Sequence, residues 1–190
     1  VPMEMREQIL ASAQRLVQTR GFNGFSYADI AKEVGVRKAS LHHHFPTKTD
    51  LGVALVEMYA AMLEGALLKI NASSAPADKK LAAYVGIYRN SLEAERACLG
   101  GMLASEVLTL DKAILPGLKR FFARNTRWLT EILTEGKAKR VFVLSGTAAN
   151  HAYLFVSSLQ GALILARATG DRKVFDQTAS LLMASLLRKG

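Results

Sequence analysis

The chain has 190 residues with one cysteine, and its 25 lysines and arginines outnumber 16 acidic residues, giving a formal charge of +9 and a pI near 9.8. One cysteine, Cys98, excludes an intramolecular disulfide framework, and a chain of this length buries roughly 70% of its unfolded surface without staples, which suits one compact two-part molecule. No basic-then-apolar leader opens the chain, and the most apolar run, residues 152–166, is interrupted by Ser157, Ser158 and Gln160 and falls short of the roughly 20 residues a spanning helix needs, so a soluble cytoplasmic protein is expected.

In chain order, Val1-Pro2 reads as a trimmed start that leaves room for a basic arm upstream. Residues 3–19 follow as a helix with Ile9, Leu10, Ala13, Leu16 and Val17 on one stripe, ended by Gly21. Ser26 is an N-cap with Asp29 three residues on, a looser capping box that starts a second helix. Ile30, Ala31 and Val34 make its apolar face, and Gly35 supplies the left-handed residue that stops it. After a short turn, Ala39, Leu41 and Phe45 offer another apolar stripe, while Arg37, Lys38, Ser40, His42, His43 and His44 are polar. This is a helix-turn-helix with a polar, basic second helix, the kind of element that a major groove about 12 Å wide admits. Pro46 then breaks the helical run, Thr47 and Asp50 repeat the capping-box spacing, and Lys48 lies in the first turn of a helix over 47–71. A cation opposes the dipole at its own helix start, so Lys48 reads as half of a phosphate clamp.

The run Gly35-Val36-Arg37-Lys38-Ala39-Ser40-Leu41-His42-His43-His44-Phe45-Pro46-Thr47-Lys48-Thr49-Asp50-Leu51, with Arg20-Gly21-Phe22 and Ser26-Tyr27-Ala28-Asp29-Ile30-Ala31 upstream, resembles the DNA-binding signature of the tetracycline-repressor (TetR) family of one-component regulators. The detailed motif covers roughly the first third of the chain. The chain departs from it at Arg37, where the family usually has a small capping residue, and at His42, where it often has a tyrosine. The net charge adds little, because residues 1–69 carry 8 basic against 7 acidic groups and residues 70–190 carry 17 against 9. Tyr27, Arg37, Lys38, Ser40, His42, His43 and Lys48 are the expected DNA contacts, with Ser40, His42 and Lys48 positioning phosphates and Arg37, Lys38 and His43 approaching bases.

Beyond the head, the helix over 47–71 is too long for a small domain and should enter a second one as the mechanical link, with Met58 and Met62 on its apolar face. A loop over 72–77 precedes helices over 78–95, around 97–106, over 110–134 with Pro116 near its beginning, over 147–169 and over 172–188; residues 136–146 read as a loop, extended at 141–144. The expected architecture is all-α: a helix-turn-helix head over 1–46 and a ligand-binding and dimerisation domain over 47–190. Tyr59, Tyr84, Tyr88, Phe121, Phe122, Trp128, Tyr153 and Phe155 are pocket candidates, most of them core by their helical spacing; the ligand set drawn from these and their neighbours is Tyr59, Met62, Tyr84, Tyr88, Cys98, Met102, Phe122, Trp128 and Phe155. Such a lining suits a small, largely apolar effector with one or two polar handles. The last two helices are apolar on more than one face, and the resemblance implies a homodimer in which residues 147–188 and their symmetry mates form a four-helix bundle.

Three adjacent histidines on a helix point about 100° apart and cannot share one metal; no metal and no cofactor are expected. Cys98 has no histidine and acid at a motif spacing, so catalysis is not expected. By default it is a buried structural thiol. The segment from Cys98 to Glu106 also resembles one found in a branch of the family whose cysteine, in some members, responds to electrophiles or oxidants, and modification of Cys98 is the alternative release signal. The reading is a ligand-responsive regulator, a repressor of a palindromic double-stranded operator; the rival is a helical ligand-binding or redox-sensing protein without sequence-specific DNA binding. The Lys119, Arg120, Arg124 and Arg127 stripe is a solvated helix face.

Overall fold

The structure is a computed structural model that describes residues 3–187. Val1, Pro2 and residues 188–190, including the expected end of the last helix, lie outside it. The described residues form nine helices: α1 Met5–Arg20, α2 Tyr27–Val34, α3 Lys38–His44, α4 Lys48–Ala72, α5 Ala77–Glu93, α6 Leu99–Ser105, α7 Leu115–Ala138, α8 Ala148–Thr169 and α9 Lys173–Leu186. They fall into two compact units, Val1–Met62 with Arg96–Phe121, and Leu63–Glu95 with Phe122–Gly190. One boundary between these units lies inside α4, after Met62, and a segment more than thirty residues further on belongs with the first unit.

In the first unit, Ile9, Leu16, Ile30, Leu41, Leu51 and Leu55 are buried almost completely and hold α1 to α4 around one core. Val34, expected in that core, is half-buried. The Asp29 carboxylate accepts from Ser26 N at 2.7 Å and from its hydroxyl at 2.8 Å; these bonds to Ser26 hold it below the usual carboxylate range. Gly35 ends α2 at φ 78°, ψ 32°, its N–H bonded to Ala31 O, so both ends of α2 have the chemistry the sequence announces. At the start of α4, Thr47 N donates to Asp50 at 2.9 Å and Asp50 N to Thr47 Oγ1 at 3.1 Å, a complete capping box. Leu99 and Leu103 of α6 and Ile114 are buried in the same unit.

In the second unit, Leu81, Tyr84, Leu129, Leu133, Phe155, Leu159 and Phe175 are buried among the remainder of α4, α5, the remainder of α7, α8 and α9. The start of α7 differs from the expected residue 110, because Asp111 caps a separate turn by accepting from Ala113 N at 2.9 Å. Pro116 is consequently the second residue of α7, where a missing N–H costs nothing. The helix then runs past its expected end at 134 and through Gly136, whose bare Cα accommodates Phe142: a Cβ there would lie 2.1 Å from the ring. Within residues 141–144 there is one isolated antiparallel bridge, between Phe142 and Leu187, and a bond from Val143 N to Leu186 O at 2.8 Å. Thr147 caps α8 through Asn150 N, and Gly170, at φ 68°, ends it. α4 and α8 are long and apolar enough, by length and composition, to cross a membrane, with mean hydropathy 1.6 and 1.2. Both instead contribute fully buried residues to protein cores, Leu51 and Leu55 from α4 and Leu159 and Leu163 from α8.

Candidate nucleic-acid interface

α3 is seven residues long and is anchored by Leu41, which is fully buried, and by Phe45 immediately after it. With Leu41 inward, Arg37, Lys38, Ala39, His42 and His43 are exposed, and Ser40 and His44 are half-buried. Ala39 was expected in the apolar stripe. It lies two residues, or about 200°, from Leu41 and therefore faces outward. The exposed face thus combines two long cationic side chains, a methyl group and two imidazoles, a set able to reach phosphates, base edges and thymine methyls.

His42 is held in one orientation. Its ring lies 4.8 Å from that of Tyr27, and Nδ1 is 3.1 Å from the Pro46 carbonyl oxygen. A carbonyl only accepts, so Nδ1 carries the proton and Nε2 of the neutral ring presents a lone pair outward. The expected donation from His42 to a phosphate is therefore confined to its imidazolium form. His43 and His44 meet edge to face at 5.5 Å, and no group of three metal-ligating side chains occurs among the described residues.

Two of the expected DNA contacts point inward instead. Tyr27 is 6% exposed, and its hydroxyl lies 2.8 Å from Phe45 O and 2.7 Å from Thr47 O, carbonyls on either side of Pro46. Burial, and secondarily Asp50, push its phenol up to about 12. Tyr27 is a clasp on the α3–α4 turn. Lys48 Nζ donates to Phe22 O at 2.6 Å and to Phe25 O, and sits 4.8 and 4.2 Å from the centroids of those two rings. Burial pulls its pKa below the usual lysine value, with Glu106 and Asp29 opposing the fall. The ammonium closes the α1–α2 loop. Conversely, exposed Arg6, which the sequence reading passed over, lies 5.2 Å above the Phe45 ring beside the same turn.

The expected ligand residues fall into two groups. In the first unit, Tyr59 lies against Phe121, with ring centroids 5.5 Å apart, and its hydroxyl is 3.8 Å from the sulfur of Cys98, which is buried; Met102 is half-buried on α6. In the second unit, Tyr84 stacks on Trp128 at 5.5 Å and meets Tyr88 and Phe155 at 5.5 and 6.3 Å. Phe122 is half-buried, and Met62, 54% exposed, faces outward rather than into either group. Sequence reasoning missed the polar members of the second group. Tyr84 donates to Asn125 Oδ1 at 2.6 Å, which leaves Tyr88 to donate to Tyr84 at 3.3 Å and Gln160 Nε2 to donate to Tyr88 at 3.4 Å. Asn125 is 1% exposed; an asparagine between Phe121-Phe122 and Trp128-Leu129 on a helix's apolar side was the available signal. A groove of about 290 Å³ in the second unit is lined by Leu92, Glu95, Ala166, Arg167, Gly170 and Arg172 and involves none of the expected ligand residues.

The family model described as bacterial regulatory proteins, tetR family, matches residues 9–55. Over nearly the whole chain the protein is similar to a TetR-family transcriptional regulator of known structure from Agrobacterium tumefaciens, at 33% identity and a TM-score of 0.93, covering 96% of this chain and 97% of that one. A TetR transcriptional regulator from Legionella pneumophila is 30% identical with a TM-score of 0.90, covering 97% of this chain and 98% of its own. The HTH-type transcriptional repressor NemR of Escherichia coli K12 is 24% identical over 168 residues, 86% of this chain and 84% of NemR.

Proposed function

Because the chain belongs to the TetR family, and is therefore a DNA-binding transcriptional regulator rather than an enzyme, we propose that it is a cytoplasmic repressor that sits as a homodimer on a palindromic operator and leaves it when a small, largely apolar effector binds. The observation that carries this reading is the outward face of α3, where Arg37, Lys38, Ala39, His42 and His43 surround a helix pinned from beneath by Leu41. In this reading Arg37, Lys38 and His43 approach base edges and Ser40 and His42 border the phosphates. Residues 1–46 read DNA, and residues 47–190 supply the dimer contact and the effector site, even though 96–121 pack in the same unit as the head.

The dimer contact is assigned to residues 147–188. On α8, Tyr153, Leu154, Ile164 and Leu165 are each about half exposed or more, and Leu181 on α9 is 73% exposed. A Cβ built at Gly161, on the same side of α8, meets nothing, so the chain's own packing does not need a glycine there and a partner helix has room to approach. A two-fold dimer of this kind sets two recognition helices about 34–36 Å apart, one turn of B-DNA, or further apart on an operator of different spacing.

The effector site is assigned to the aromatic groups, with Tyr84, Tyr88, Trp128 and Phe155 as the apolar wall and the ordered chain from Gln160 to Asn125 as the polar handle. Release is a population shift, and it requires the effector to bind the DNA-competent and released states with different affinity. Modification of Cys98 is the second reading, motivated by the Tyr59 hydroxyl beside its sulfur. Loss of operator binding on treatment with an electrophile in the wild type and equally in Cys98→Ser would remove it. The reading as a whole is tested by selecting from random duplexes at two salt concentrations and sequencing what is retained. Enrichment of a palindrome supports it; retention without enrichment that vanishes at higher salt is nonspecific phosphate attraction and refutes it.

A further inference from the structure

α6 is fastened at both ends to the part of the first unit that carries the helix-turn-helix. Before it, Gln18 Nε2 donates to Ala97 O at 2.9 Å and Ala97 N donates back to Gln18 O at 3.0 Å, a buried reciprocal pair between α1 and the segment entering α6. After it, the Glu106 carboxylate accepts from Phe22 N at 2.6 Å and Asn23 N at 3.1 Å, while Asn23 Nδ2 donates to Thr109 at 2.7 Å. The α1–α2 loop is closed tightly on that carboxylate. Gly21 has φ +82°, and a Cβ there would lie 2.9 Å from Glu106 Oε1. The opposite edge of the same loop, the carbonyls of Phe22 and Phe25, takes the ammonium of Lys48, the first residue of α4. Tyr27, which directly follows the loop, clasps the turn that ends α3.

We propose that Glu106 is the positioning residue through which the placement of α6 sets the pose of the recognition helix α3; the proposal rests on the DNA-binding reading above. A carboxylate on two backbone N–H groups is a short, charge-assisted and geometrically strict contact, and such bonds weaken steeply once lengthened or bent. A shift of α6 by about an ångström therefore releases Phe22 and Asn23. With its N–H edge released, the loop no longer fixes the carbonyls that hold Lys48, and the α4 start and the Tyr27 clasp lose their common support. Glu106 touches no DNA in this account. It acts through the loop.

The test is a double-mutant cycle with Gly100→Ala and Glu106→Gln in the full chain. A Cβ at Gly100 would lie 2.4 Å from Cε1 of the buried Phe121 ring, so alanine there displaces α6 from α7 without touching Glu106. Two quantities are read: the exchange rates of the Phe22 and Asn23 amides, and affinity for the duplex recovered from selection against a scrambled duplex. Gly100→Ala alone should speed exchange at both amides and weaken the selected duplex by about 10-fold while leaving the scrambled duplex within about 2-fold. In the Glu106→Gln background, Gly100→Ala should add less than about 2-fold to either readout. Additive effects, or unchanged exchange at Phe22 and Asn23 in Gly100→Ala, would overturn the proposal; a merely structural role for Glu106 gives additivity. If Gly100→Ala does not fold, Leu103→Val loosens the same helix from its buried side. If selection enriches no duplex, the regulator reading falls, and amide exchange still decides whether α6 is coupled to the loop through Glu106.

Discussion

Lys48→Met separates two roles that sequence and structure give to one residue. Methionine keeps the stem and a polarisable end against the Phe22 and Phe25 rings and removes only the ammonium. Two ammonium–carbonyl bonds are lost, each worth about 1.5–3 kcal/mol, together with two partly exposed cation–π contacts of about 0.5–1 kcal/mol each. Against these stands the cost of burying the charge, which is the cause of the lysine's lowered pKa. A net loss of about 2 kcal/mol in the stability of the first unit follows. Urea unfolding with amide exchange at α1 to α3 measures that loss, and operator affinity against salt measures the charge seen by DNA. The slope of log affinity on log salt should stay where it was. A phosphate contact would flatten it by about 0.9, and a flattened slope with unchanged stability would refute the inward assignment of Lys48.

Tyr27→Phe should destabilise the head at neutral pH, and the gap from wild type should close at high pH. A phenol raised from 10.0 to about 12 binds its proton more tightly folded than unfolded. Its contribution is therefore whole below about 10 and lost as pH rises through about 12, and the phenolate difference spectrum between the two proteins should titrate near the upper value. Asp29→Asn should cost stability above the carboxylate range, with the gap from wild type disappearing as pH falls through it, because the folded pKa lies below 3.8; chemical denaturation at stepped pH reads this. Arg37→Ala and Lys38→Ala, carried through the duplex selection, should each relax the preference at one position per half-site, a loss of about 1–3 kcal/mol in discrimination if the contact is to a base edge. Gly136→Ala should cost about 1–3 kcal/mol of stability by thermal unfolding, since a Cβ 2.1 Å from the Phe142 ring forces that buried ring to move.

What was legible in the sequence was local chemistry. Ser26 with Asp29, Thr47 with Asp50, and Gly35 and Gly170 each state a helix end within a few residues, and each end lies where that chemistry puts it. The apolar stripe of α3 was misjudged because Ala39 and Leu41, two apart, alternate like a strand; on a helix of seven residues the inward direction is set by Leu41 and Phe45 alone. The inward course of the Lys48 side chain was hidden for a different reason. Its helix position fixes where the Cα sits, but the acceptors that turn its long side chain inward are carbonyls more than twenty residues upstream. The bonds of Glu106 span more than eighty residues and carry no periodic signature, so the membership of α6 in the head's unit was invisible. Asn125 and Gln160 look like ordinary polar interruptions of apolar helices until Tyr84 and Tyr88 are placed beside them.

The first unit is discontinuous along the chain, since residues 96–121 return to it after more than thirty residues spent in the second. This bears on how such a molecule can be recombined. A head transplanted between relatives at residue 46 would arrive without the carboxylate that holds its own α1–α2 loop and without the glutamine–alanine pair that ties α1 to α6. A graft that keeps the native reading geometry must carry two pieces, the N-terminal stretch through Met62 and the later insert, joined to the recipient at three cut points. Inheritance of DNA specificity among relatives of this chain should accordingly follow matched pairs of segments rather than the N-terminal quarter alone.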